Sequence, residues 1–128
     1  MTASPSELAV ITKAKDLCSY VITITQRSPK QFRFTFVTRM QNLALDAIEH
    51  LYRANDVFAS KEDPSSCRRR ADLQHDAMTD LRLLAYVAQL AMEQQCILPK
   101  QFEQIARQEA ECARLLGAWI NSDKRRFQ

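Results

Sequence analysis

The chain has 128 residues, 46% of them hydrophobic and 26% charged, with only one glycine and four prolines. That length carries one core without metal or disulfide support, and scarce turn residues with apolar positions at helical spacing exclude a turn-rich β-protein and predict an all-α fold. A single glycine cannot build a phosphate-binding loop, which excludes a nucleoside triphosphatase; a formal charge of +3 and a pI ≈ 8.8 leave any nucleic-acid role to where the cations lie.

One domain spanning 1–128 is expected, with helices at about 6–27, 33–59, 66–95 and 99–122. MTASPSELAV lacks a basic region followed by an apolar run, and no later segment stays apolar for about 18 residues, so neither secretion nor a membrane span is expected. Ser6 suits a helix cap, with Glu7 favourably placed in the first turn. Leu8, Ile11, Cys18, Val21, Ile22 and Thr25 mark one face of this helix, and Val10, Ala14, Leu17 and Ile24 a second. Such apolar width suits either a subunit contact or a broad core face.

Pro29 breaks the first helix within Arg27–Lys30. Phe32, Phe34 and Phe36 then alternate with Arg33 and Thr35 as in a strand, yet no partner strand is evident, so the segment is assigned to the start of helix two. That helix continues through Val37, Met40, Ala44, Ala47, Ile48, Leu51 and Phe58. The polar stretch 60–67, containing Pro64, is a helix-to-helix connection. Leu73, Ala77, Leu81, Leu84, Ala88 and Ala91 define helix three, with Leu83, Tyr86, Val87 and Leu90 widening its apolar face.

Pro99 opens the last helix, in which Phe102, Ile105, Ala106, Cys112, Ala113, Leu116, Trp119 and Ile120 form one stripe that stops after Ile120. Gly117 lies inside it at a cost of about 1 kcal/mol relative to alanine, and predicts close approach of another backbone beside Trp119. Short connections and helices of about 22 residues, each about 33 Å long, predict an antiparallel up-down-up-down four-helix bundle of matched rods with its charged ends at two poles.

Charge is unevenly spread. Residues 27–39 hold Arg27, Lys30, Arg33 and Arg39 and no acid, a local charge of +4, whereas residues 71–98 hold Asp72, Asp76, Asp80 and Glu93 against Arg82, a local charge of −3. Arg68, Arg69 and Arg70, and Lys124, Arg125 and Arg126, form two further clusters that the topology places at one pole. Guanidinium and ammonium groups gathered in this way bond phosphate oxygens with little sequence preference. The alternative is a set of solvated helix ends neutralised by Glu62, Asp63, Asp72 and Asp123. Phenylalanines at 32, 34 and 36 among cations likewise suit either base stacking in a single-strand binder or burial in a core or interface.

Catalytic and metal chemistry are poorly supplied. Asp72 and His75 have the spacing of a di-iron carboxylate bundle, but the matching carboxylate before His50 is replaced by Ala47 and no third histidine exists, so no metal and no cofactor are expected. Cys18, Cys67, Cys96 and Cys112 include no Cys-x-x-Cys pair, and reduced thiols in a cytoplasm are expected. Only Cys67, beside Arg68, has a reason for a lowered pKa, and one exposed thiol is not a catalytic set. No catalytic residue is assigned, and the chain is not expected to be an enzyme.

The segments SPKQFRF, RMQNLALDAIEHLYRAN, LRLLAYVAQLA, LPKQFEQIARQ and ARLLGAWINS together resemble the Avd-like four-helix bundle proteins. These are the accessory variability determinants of diversity-generating retroelements, related to bundle proteins encoded by intervening sequences in 23S ribosomal RNA genes. The most specific match is Leu115, Leu116, Gly117, Ala118, Trp119 and Ile120. The resemblance implies a non-enzymatic accessory protein that forms a homo-oligomeric ring, a pentamer, and binds the reverse transcriptase and template RNA, with cDNA as a further ligand, in support of mutagenic cDNA synthesis. The second apolar face of helix one would then be the ring interface. Arg27, Lys30, Arg33, Arg68, Arg69, Arg70, Lys124, Arg125 and Arg126 are the nucleic-acid-binding candidates, taken from charge clustering since the family signature is made of packing residues. The alternatives are a protein-only oligomeric scaffold and an intervening-sequence-type bundle protein with no retroelement role.

Overall fold

The computed structural model describes residues 5–127, with side chains from residue 9 onward. The predicted cap at Ser6, its neighbour Glu7 and the apolar position Leu8 fall on side chains outside that range. The chain forms α1 (Pro5–Thr25), a 3-10 turn (Lys30–Phe32), a π-helical turn (Arg33–Val37), α2 (Thr38–Asp56), α3 (Pro64–Glu93) and α4 (Pro99–Phe127). Among the described residues there is no strand. Each helix packs against two others, α1 on α2 and α4, and α3 on α2 and α4. The core between them contains Leu17, Val21, Met40, Leu51, Leu81, Leu84, Ile105, Leu116 and Trp119, all almost fully buried.

The helix ends follow from local chemistry. Asp63 caps α3, its Oδ1 accepting from the Ser66 amide at 3.4 Å, and Pro64 occupies the first turn, where no backbone donor is needed. At the other end Gln95 adopts φ 66°, while the Cys96 and Gln95 amides donate to the Ala91 and Met92 carbonyls at 2.8 and 3.0 Å. These bonds make a Schellman closure that satisfies carbonyls the helix itself leaves open. Gln101 Oε1 reaches back to accept from the Leu98 amide at 2.9 Å and starts α4.

Four features depart from the sequence reading. The helices are unequal, with 21, 19, 30 and 29 residues in α1 to α4 rather than matched lengths of about 22. Helix two begins at Thr38, after the two tighter and wider turns that absorb residues 30–37. The supposed second face of α1 is interior, because Val10, Ala14 and Leu17 are buried together with Cys18 and Val21. The broad stripe is therefore a broad core face. Among the described residues, the large apolar side chains left exposed lie elsewhere, notably Leu83, Tyr86 and Leu90 on α3.

The fourth departure is Gly117. A Cβ placed there meets nothing within 4 Å, so among the described residues no other element packs closely against it. Gly117→Ala should therefore raise stability by up to about 1 kcal/mol through helix propensity alone. Urea unfolding checks this, and a lower midpoint would mean that a methyl group at this position clashes after all.

Candidate nucleic-acid interface

Arg27, Lys30 and Arg33 are exposed and line one hollow at the α1–α2 connection. The frame that presents them is fixed by hydrogen bonds. Thr25 Oγ1 donates to the Val21 carbonyl at 2.7 Å and accepts from Gln41 Nε2 at 3.0 Å, tying the end of α1 to α2. Ser28 Oγ donates to the Cys96 carbonyl at 2.9 Å, which ties the same connection to the α3–α4 link. Pro29, at φ −56°, starts the 3-10 turn, and its carbonyl accepts from the Phe32 amide at 3.0 Å. The Arg33 carbonyl accepts from Thr38 Oγ1 at 2.7 Å within the π-helical turn. Three long cationic side chains are thus carried by an ordered backbone, which lowers the entropy lost when an anion is gripped.

The remaining candidates separate. Three consecutive arginines on a helix step by about 100° each, so they cannot share a face. Arg68 lines a hollow between α3 and α4 with Lys124, Cys67, His75 and Phe127. Arg69 lines a groove between α2 and α3 that also holds Asp56, Asp72 and Asp76, an acidic setting unsuited to phosphate. Arg70 points inward and is 1% exposed, which corrects its assignment as a phosphate contact. Its Nε and Nη2 donate to Asp123 Oδ2 and Oδ1 at 2.8 and 3.1 Å, its Nη1 donates to the Val57 carbonyl at 3.3 Å, and its Cζ lies 5.1 Å from the Trp119 ring centroid. Gln74 Nε2 donates to the same carboxylate at 2.9 Å.

This network is what extends α4 beyond its predicted end. Asp123 is buried one turn after Trp119, so the inward stripe continues as a charge rather than as an apolar residue. The signal in α3 was its spacing: 70, 74, 77, 81, 84, 88 and 91 alternate steps of four and three, and all seven positions are buried. Arg70 and Gln74 belong to the core register and were hidden by their polarity.

Arg125 is exposed at the end of α4, and Arg126 lies 3.8 Å from Asp123 and 5.0 Å from the Phe127 ring centroid. Among the described residues, no carboxylate lies within 4.0 Å of the cationic groups of Arg27, Lys30, Arg33, Arg68, Lys124 or Arg125. Of the acids expected to neutralise the lower cluster, Asp123 pairs with Arg70 and lies 3.8 Å from Arg126, whereas Glu62 and Asp63 are engaged locally. A Ser60 hydroxyl bond holds the Glu62 carboxyl below its usual range, and a Ser65 hydroxyl bond does the same for Asp63. The possible metal set is also dispersed: His75 Nδ1 lies 2.8 Å from the Ala71 carbonyl, and Asp80 Oδ2 lies 2.6 Å from His50 Nδ1 on α2. Burial raises the Asp80 carboxyl above its usual range, opposed by that histidine contact. Among the described residues, no three His, Cys, Asp or Glu side chains converge as metal ligands.

The family model described as bAvd-like matches residues 8–123. The chain belongs to the bAvd-like family. The match overlaps all four helices and takes in the Leu115–Ile120 signature and the Arg27–Arg33 hollow. No curated protein matches the chain. For this bAvd-like chain, no described helix is long and apolar enough to cross a membrane.

The four thiols of this bAvd-like protein are free, and they differ sharply in surroundings. Burial raises the pKa values of Cys18 and Cys96, and pushes Cys112 up to about 12. Cys67, half-buried in the α3/α4 hollow, donates from Sγ to the Ser60 carbonyl at 3.2 Å. A thiol-reactive chromophore at pH 8 should therefore label Cys67 first and reach the other three only on unfolding, because the thiolate is the nucleophile. The raised pKa values also set a sign for linkage. Their contribution to stability is complete below the ordinary value of 9.0 and is lost as pH rises toward 12, where the folded Cys112 also ionises. Equal labelling rates in the native state would contradict this account.

Proposed function

We propose that this protein is a non-enzymatic accessory factor of a diversity-generating retroelement. In this reading the four helices close as an antiparallel up-down-up-down bundle, which assembles in the cytoplasm into a homo-oligomeric ring, a pentamer. The ring binds the reverse transcriptase and holds template RNA, and the cDNA made from it, while copying proceeds with errors. The observation that carries the reading is the hollow lined by Arg27, Lys30 and Arg33, with no carboxylate of the described residues within 4.0 Å of their charges, in a chain of the bAvd-like family. Cations bound to such a fixed frame favour a polyanion, and each phosphate neutralised releases counterions. Arg68, Lys124, Arg125 and Arg126 offer a second basic surface to the same ligand. Arg69 is proposed only as a peripheral contact.

A second reading, the protein-only scaffold, is favoured by the exposed Leu83, Tyr86 and Leu90, which recur at three- and four-residue spacing along α3 and present an apolar flank to a protein surface. The two readings part on one experiment. Purified protein is mixed with the retroelement's reverse transcriptase and template RNA, and each is assayed for retention by the wild type and by the Arg27→Glu/Lys30→Glu/Arg33→Glu variant. Retention of both by the wild type, with RNA lost from the variant, supports the accessory reading. Retention of the enzyme alone by both proteins supports the scaffold.

A further inference from the structure

We infer that Phe34 is a base-stacking platform, which gives the Arg27–Lys30–Arg33 hollow a preference for unpaired nucleotides over duplex. The inference rests on the RNA-binding reading above and names the class of RNA. Phe34 is 85% exposed, more than any other large apolar side chain among the described residues. Its exposure follows from helical geometry. Phenylalanines at i, i+2 and i+4 would share one face of a strand, but on a helix the first and third lie together and the second points away. Phe32 and Phe36 accordingly pack on the core with ring centroids 5.7 Å apart, and Phe34 is left in solvent.

An isolated exposed phenylalanine is unremarkable; this one has a particular setting. It directly follows Arg33 in the π-helical turn Arg33–Val37, and π-turns of this kind often mark functional sites. Arg33, Val37 and Thr38 line the hollow, so Phe34 sits one step around the helix from its wall. Residues 27–39 contain four cations and no acid, so the surroundings of the ring attract phosphate and repel a basic protein segment. An aromatic ring beside backbone-binding cations is the arrangement by which single strands are held, with a base face on the ring and phosphates on the cations. In a duplex those base faces are covered by stacking, and the ring gains nothing.

The test compares wild type, Phe34→Ala, Phe34→Leu and Phe34→Trp in the full chain. Each binds a labelled mixed-sequence RNA, once as an unpaired strand and once annealed to its complement. Because the side chain is exposed, all four proteins should melt alike, which separates binding from folding. Phe34→Ala should weaken binding of the unpaired strand roughly 5- to 150-fold. Phe34→Leu should lose about as much, Phe34→Trp should retain affinity, and duplex binding should be unchanged, as should the salt dependence. Unchanged binding by Phe34→Ala, an equal loss on duplex, or full function in Phe34→Leu overturns the stacking role. So does loss of reverse-transcriptase retention with RNA binding intact, since Phe34 would then contact protein. Wild-type protein that binds neither RNA would overturn the proposed function along with this inference.

Discussion

Arg70→Ala should destabilise the protein by about 3–5 kcal/mol, because it strands the Asp123 carboxylate in the core without its bidentate partner. Arg70 also spans elements that apolar contacts alone hold less specifically: it lies on α3, bonds Asp123 on α4 and the Val57 carbonyl just beyond α2, and stacks on Trp119. For a chain of this size the loss corresponds to a fall of roughly 10–20 °C in Tm. Arg68→Ala and Arg69→Ala, two and one residues away and exposed, should each shift stability by no more than about 0.5 kcal/mol. Arg70→Lys should not rescue, since an ammonium cannot reproduce the two parallel bonds and the ring stacking. Asp123→Ala should cost less when combined with Arg70→Ala than when made alone, and thermal unfolding of the four proteins completes the cycle. Additive losses would mean that the two charges are not coupled.

The second large effect falls on binding. Arg27→Glu/Lys30→Glu/Arg33→Glu should weaken RNA binding roughly a thousandfold at low salt, taking about 1.5 kcal/mol for each charge-assisted bond, or about tenfold each. All three side chains are exposed, and none takes part in an ion pair among the described residues, so their reversal should leave the fold intact. Per charge reversed, Arg68→Glu/Arg69→Glu should cost less, because the helix sends those two side chains to different hollows, one of them already acidic. Fluorescence anisotropy with a labelled RNA strand measures both. Equal losses per reversed charge from the two variants would mean that charge in general, rather than the α1–α2 hollow, sets the affinity.

These contrasts mark where the sequence is legible. Leu81, Leu84, Leu116 and Trp119 announce the core because apolar side chains at helical spacing have few other places to go. The same stripes continue through Arg70, Gln74 and Asp123, but a charge reads as surface until its partner is known, and that partner lies 53 residues away. The cations at 27, 30 and 33 were legible as a cluster because one short connection carries them all, so chain proximity and spatial proximity agree. Arg68, Arg69 and Arg70 were misleading for the opposite reason, since adjacency on a helix is divergence in space. The π-helical turn was hidden because its register depends on how Phe32 and Phe36 dock on the core, a tertiary outcome. The width of α1 was visible in sequence, but whether it faces a sister copy or its own chain is decided only by how closely α2 and α4 approach.

The most direct measurement for the central claim is the salt dependence of wild-type affinity for an unpaired RNA strand. Three phosphates held by Arg27, Lys30 and Arg33 should make log K fall against log salt with a slope of roughly −2 or steeper, at about 0.7 per phosphate. Absence of binding at low salt, or an affinity indifferent to salt, would contradict a cationic hollow built to hold a nucleic-acid backbone.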